Sequence, residues 1–288
     1  MENKTVSQKI FSNPITRIIL GLLVVLGVVI IGQEIAGNLL AGLDKDYRNL
    51  IKGIIVSILA ISSYSIFFKL YEKRKITELS TKYLAKNIIL GTSIGVALQC
   101  LTILVIYLCN GFRVVSINPF SFIIIPFTVA FTVAIFEEIL IRGIFFKIME
   151  EKLGSYLALI ISAIIFGALH FVNPNGSIVS ASCVAVEAGL LLGAAYIYTR
   201  NLWFPIAIHF AWNFMQSGIL GAITSGNEKT NSLLTTQITG SKFITGGDFG
   251  PEGTIQATIF CLVASLILMY LNKKQNKLIE PYWVKEKM

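Results

Sequence analysis

Charge is scarce in this 288-residue sequence. Asp, Glu, Lys and Arg make up 14% of it and hydrophobic residues 55%, against about 25% charged and about 45–50% apolar in an average soluble domain. Several apolar stretches approach or exceed the roughly 18 to 20 residues that cross a hydrocarbon core as a helix, which argues against a soluble all-α domain. Acid is the scarcer sign, with 16 Asp and Glu against 24 Lys and Arg and a net charge of +8. The basic residues gather in short segments between apolar runs and not on an amphipathic face, so they fit membrane orientation and not nucleic-acid binding. The four cysteines, Cys100, Cys109, Cys183 and Cys261, show no CxxC or other metal-ligand spacing and read as small apolar packing residues. H-E-x-x-H is absent, and the sequence has only two histidines, His170 and His209. No internal repeat is evident.

What is present is a series of apolar runs. Boundaries at polar, Gly or Pro signals give eight candidate spans, at about 15–32, 51–70, 87–109, 120–146, 155–172, 178–199, 203–222 and 255–271. The run from Ile15 to Ile31 is long for a signal-peptide core and lacks an A-x-A site, so it reads as a retained first span. Alternate connections are rich in Lys and Arg: Lys4, Lys9 and Arg17; the segment KLYEKRKITELSTKYLAK; Lys147 and Lys152; Arg200; and Lys273, Lys274, Lys277, Lys285 and Lys287. Basic connections stay in the cytoplasm. The expected architecture is therefore an all-α, polytopic integral membrane helix bundle of about eight transmembrane helices in the cell membrane. Both termini are expected in the cytoplasm, and residues 1–288 form a single membrane domain with its core at about 120–222. The Gly-, Ser-, Thr- and Asn-rich segment 223–254 reads as an external loop or flexible excursion carrying no chemistry. The span 255–271 and a basic tail follow.

Ionisable residues inside a span cost about 2.5 to 3.5 kcal/mol on insertion scales and usually mark a site facing the bundle interior. The stretch AIFEEILIRGIFF carries Glu137, Glu138 and Arg142; the fifth span ends near His170; the sixth contains Glu187; the seventh contains His209 and Asn213. Glu138 and Arg142 lie four apart with the acid N-terminal, the favourable orientation for an intrahelical pair. Glu137 is turned about 100° away from Glu138, with no partner one turn on in either direction. Measured from the basic ends at 1.5 Å per residue, Glu137 and Asn213 lie about 15 Å deep, His170 about 22 Å and His209 about 9 Å. A carboxylate, two imidazoles and an amide can thus share a pocket in or near the cytoplasmic half of the membrane. Each alone also has a structural reading: Glu138–Arg142 as an ion pair, either histidine as an interhelical hydrogen bond, Glu187 as a packing or cavity residue, and Gly189 with Gly193 as a close helix contact.

Glu137-Glu138-x-x-x-Arg142, Phe166-x-x-x-His170 and His209-x-x-x-Asn213, in that order on successive spans, resemble the CPBP family of intramembrane proteases, also called the CAAX protease and bacteriocin-processing or Abi family. The resemblance covers about residues 120–220. It implies endopeptidase activity on a membrane-associated or lipidated protein or peptide, such as a prenylated CAAX protein or a bacterial leader, pheromone or bacteriocin precursor, with the lipid bilayer as a partner and no nucleic acid. It also implies site roles. Glu137 would activate water, His170 would hold that water, His209 and Asn213 would stabilise the oxyanion, and Glu138 with Arg142 would order the site. The family has been described both as glutamate-dependent and as zinc-dependent. The metal-free mechanism is preferred here; zinc, if used, would take His170, His209 and Glu137. Two other classes compete: a non-catalytic bacteriocin-immunity or membrane-binding protein on the same fold, and a proton-coupled carrier. No inverted repeat or paired broken helices support the carrier.

Overall fold

A computed structural model describes residues 11–285. Lys4, Lys9 and Lys287, used above to assign sidedness, lie outside the described residues, as does the side chain of Lys285. The helices are α1 Pro14–Leu39, α2 Lys45–Tyr71, α3 Leu84–Leu108, α4 Ile124–Glu138, α5 Lys147–His170, α6 Ile178–Val184, α7 Leu191–Thr199, α8 Trp203–Asn213 and α9 Ile255–Lys274, with a two-stranded antiparallel sheet of β1 Phe112–Ile117 and β2 Leu234–Ile238 and a few shorter turns. Three π-helical stretches interrupt the bundle: Ile139–Phe146 joins α4 to α5, Ala185–Leu190 joins α6 to α7, and Phe214–Ile219 extends α8.

Local chemistry sets the helix ends. Pro14 occupies the first turn of α1, where a missing N–H costs nothing, and the Asn13 side chain accepts from Ile15 N at 2.9 Å. Ser177 and Ser180 form a reciprocal capping box that starts α6. Arg200 ends α7 in the left-handed region at φ 52°.

Among the described residues six helical runs are long and apolar enough to cross a membrane, and the chain is a multi-pass membrane bundle. The difference from the eight expected spans has two sources. The fourth run, Phe120–His170, is 51 residues long and breaks at Gly154, whose φ of 74° and ψ of 169° are not helical, so it supplies both the fourth and fifth spans. A Cβ at Gly154 would also lie 2.7 Å from Pro281 N, which ties the break to the C-terminal segment. The seventh span has only 11 α-helical residues before its π-helical extension, short of a full crossing.

The connections sort into two ends. At the first, Glu78 is buried and receives Tyr64 Oη, Arg74 at 2.8 Å and Lys147 at 2.8 Å, while Arg17 pairs with Glu72 and Glu151 and Arg200 with Glu150. Burial pushes the Glu78 carboxyl up, but the charges of Lys147 and Arg74 and the hydrogen bonds of Lys147 and Tyr64 outweigh it and hold the group below its ordinary value. These are the connections expected to be cytoplasmic. At the other end β1 pairs with β2, and Asn173 and Asn175 donate to Ser225 O at 2.7 Å and Gly226 O at 2.9 Å.

Two expectations need correction. Segment 223–254 is folded onto the bundle through β2, short helical turns and side-chain anchors, because its polar residues find main-chain partners in the other connections. Of the cysteines only Cys261 is buried; Cys183 is half-buried and Cys100 and Cys109 face outward from α3 and its end, so only one is core packing.

The helix bearing His209 and Asn213 is located by glycine contacts. A Cβ at Gly91 would lie 2.7 Å from Phe204 O, and one at Gly95 2.5 Å from Ile208 O, so α3 and α8 approach backbone to backbone. Gly189 meets the backbone of Ala163 of α5 in the same way, and Gly193 leaves room for the Leu159 side chain. Gly95→Leu is expected to cost about 1–3 kcal/mol by overpacking and to lower the melting temperature of the full-length detergent-solubilised protein; an unchanged melt would contradict the assigned contact.

Candidate active site

The site is built around the end of α4. Arg142 and Glu138 are both completely buried, and Arg142 donates to Glu138 Oε1 at 2.8 Å. The arginine's other terminal nitrogen donates to the carbonyls of Ala188 at 2.6 Å and Gly189 at 3.2 Å, and its guanidinium lies 4.7 Å from the centre of the Phe166 ring. In a bilayer interior a polar group needs partners within the protein, and Arg142 finds a carboxylate, two carbonyls and a ring face, while its Nε and Glu138 Oε2 make no hydrogen bond among the described residues. The same Glu138 oxygen lies 3.0 Å from His209 Nδ1. One carboxylate therefore joins the π-helical link of the fourth span to α8, and Arg142 joins both to the π-helical link of the sixth.

Glu137 is arranged differently. Its side chain is 29% exposed, its Oε2 makes no hydrogen bond, and that atom lies 3.9 Å from His209 Nε2. Glu137, His170, His209 and Asn213 line one cavity of about 730 Å³. His170 Nδ1 lies 2.9 Å from Phe166 O, one turn back along α5. A carbonyl can only accept, so Nδ1 carries the proton and Nε2 of a neutral ring is left as an acceptor. His209, if neutral and donating from Nδ1 to Glu138, likewise presents Nε2 as an acceptor.

The structure thus brings all six candidate residues into contact with each other or with the same cavity. It does not place that cavity toward the basic end. The walls beyond His170 are Asn173, Pro174 and residues of 222–230, which belong to the opposite end, because the depth argument treated the helices as parallel rods and left segment 223–254 out of the bundle.

A second, smaller cavity of about 40 Å³ adjoins the first and is bordered by His170, His209, Asn213, Trp212, Glu187 and Glu252. That is room for a water molecule or a few. Glu187 accepts from Thr258 Oγ1 at 2.7 Å and leaves Oε2 without a partner, in keeping with a cavity role. Glu252 accepts from the Trp212 indole at 3.1 Å and from Ser225 N and Oγ at 2.8 and 2.7 Å. Burial pushes its carboxyl above the ordinary value, with the Ser225 and Trp212 hydrogen bonds and the nearby His170 pulling the other way. Sequence reasoning missed Glu252, Ser225 and Trp212. Glu252 follows Pro251 in a non-periodic segment, where neither spacing nor hydropathy signals a site.

Among the described residues no three His, Cys, Asp or Glu side chains group closely enough to hold a metal ion. His209 Nδ1 is engaged by Glu138 and His170 Nδ1 by a carbonyl, which leaves Nε2 of both rings facing outward from those contacts, a ring orientation that holds water and would equally serve a metal ligand.

Residues 119–215 match the family model described as type II CAAX prenyl endopeptidase Rce1-like, and this segment contains all six candidate residues. The chain matches no curated protein and no solved structure.

Arg142→Met strands the Glu138 charge in the bundle core and is expected to cost about 3–5 kcal/mol. Adding Glu138→Gln should recover part of that loss, because the charge it strands is gone. Thermal unfolding of the two variants in detergent measures both; additive losses would contradict the coupling.

Proposed function

We propose, from the premise that this chain belongs to the CPBP family of CAAX-type intramembrane proteases, that it is an endopeptidase acting without a metal on a membrane-associated or lipidated peptide or protein. The observation that carries the reading is the cavity wall on which an unpaired Glu137 oxygen, two imidazoles and an amide converge.

Water held between Glu137 and His170 Nε2 would lose one proton to Glu137, and its oxygen would form the new bond to the scissile carbonyl carbon. The carbonyl electrons move to oxygen. Asn213 can donate to that oxyanion from its amide, and His209 can do so from Nε2 when both ring nitrogens carry protons, since Nδ1 is committed to Glu138. Collapse then breaks the C–N bond, and the proton on Glu137 passes to the departing amine. Glu138 and Arg142 touch neither water nor substrate. They position His209, and the carbonyl bonds of Arg142 hold them in register with the sixth span.

Glu137→Gln should lower kcat by about 10²–10⁴-fold, the usual contribution of a general base, with the protein still inserted and folded. Asn213→Ala should lower it by about 10²–10³-fold, as loss of one oxyanion donor does elsewhere. Mass spectrometry of membrane and secreted peptides from cells carrying wild type or Glu137→Gln reads out both substrate and cleavage. An unchanged peptide profile with an intact cellular phenotype would favour the non-catalytic immunity or binding reading. Elemental analysis of purified, active protein tests the chemistry; stoichiometric zinc would overturn the metal-free mechanism.

A further inference from the structure

The cavity that holds Glu137 has two unlike walls. One is apolar and built from α4 and its π-helical continuation, including Val129, Val133, Phe136 and Leu140. The other is polar and comes from the segment after α8, where Thr224, Asn227, Glu228 and Thr230 face the same space. The Thr224 and Thr230 hydroxyls are buried and make no hydrogen bond within the protein, so that wall is left with unused polar capacity.

Apart from the imidazoles of His170 and His209, the ionisable groups on this cavity are all acids. Two carboxylates, Glu137 and Glu228, line it, and no Lys or Arg does, although the chain as a whole carries +8. The buried cation Arg142 is occupied by Glu138 and two carbonyls. Lys229, next to Glu228 in sequence, donates to Thr236 O of β2 at 3.1 Å and lines a different pocket. Glu228 is exposed, and the segment leading to it is anchored. Three residues before it, Ser225 is fixed by both Glu252 and Asn173, and Gly226 donates to Phe249 O at 2.8 Å.

Resting on the protease reading, we propose that Glu228 is a specificity-determining residue and that the cavity accepts a cationic or neutral side chain beside the reacting bond and rejects an anionic one. A free terminal carboxylate would meet two acids and no Lys or Arg here, with only the imidazoles of His170 and His209 to oppose them, so it is disfavoured in the cavity. The substrate class is then a membrane-anchored peptide whose segment entering from the polar wall is basic or uncharged.

Binding and cleavage test this separately. Three synthetic peptides share one apolar membrane-spanning segment and differ only in a following Lys, Ala or Glu triplet. Their binding to full-length Glu137→Gln in nanodiscs of neutral lipid is followed by fluorescence anisotropy, so that lipid charge contributes nothing. The Lys peptide should bind at least about tenfold more tightly than the Glu peptide at low salt, the scale of one partly screened charge pair, and the ratio should shrink as salt rises. Adding Glu228→Gln should reduce that ratio, and Glu228→Lys should reverse it. Equal binding of the three peptides overturns the proposal, as does a preference that neither Glu228 substitution moves. Cleavage by the wild-type protein is the second readout. Lys preference in binding without cleavage of any peptide would keep Glu228 as the selector and count against the protease reading instead, whereas cleavage without a charge preference would do the opposite.

Discussion

A carboxylate with no water around it must find its counter-charge inside the protein, and Glu138 finds two groups on one oxygen: the guanidinium of Arg142 and the imidazole of His209. Much of the site depends on that junction. Arg142 reaches from it to the carbonyls of Ala188 and Gly189, and His209 carries it into α8, so three spans are cross-linked by polar contacts in a region where the alternative is an unsatisfied charge. The contacts are directional, unlike the surrounding Ile, Leu and Phe packing. They fix the rotation of α8 and hence the direction in which His209 and Asn213 point.

Close backbone approach supports the same geometry from outside. Gly91 and Gly95 let α3 lie against α8, and Gly189 and Gly193 let the sixth span lie against α5. Between helices surrounded by lipid, area burial gives no net drive, so such contacts and the polar junction share the task of choosing one arrangement of the bundle.

A good part of this was legible in the sequence. The alternation of basic and sparsely basic connections foretold which loops meet: the Glu72, Glu78, Glu150 and Arg200 contacts all sit at one end, and β1, β2, Asn173 and Asn175 at the other. The four-residue spacing of Glu138 and Arg142 gave their ion pair correctly even though Arg142 lies in a π-helical turn. Other features had no local signal. A π-helical stretch is a choice of hydrogen-bond partner that tertiary contacts make, and none of the three departs from its neighbours in composition. The anchoring of segment 223–254 was hidden for a related reason: Glu252, Ser225 and Asn173 are each unremarkable in sequence and gain meaning only when two distant connections meet.

The two adjacent glutamates show what the helix contributes. They sit at the same depth and share nearly the same chain environment, yet a 100° rotation between consecutive residues sends one into an ion-pair network and the other to a cavity wall. Glu138 is fully buried and engaged by Arg142 and His209, so its position is committed to structure. Glu137 keeps an oxygen without a hydrogen bond, within 3.9 Å of His209 Nε2. A base needs an available lone pair and a fixed neighbour, and the first of these conflicts with the pairing that a buried charge demands. Placing the acids side by side resolves the conflict: the paired residue orders the histidine, and the ordered histidine gives the unpaired residue a defined place to hold water.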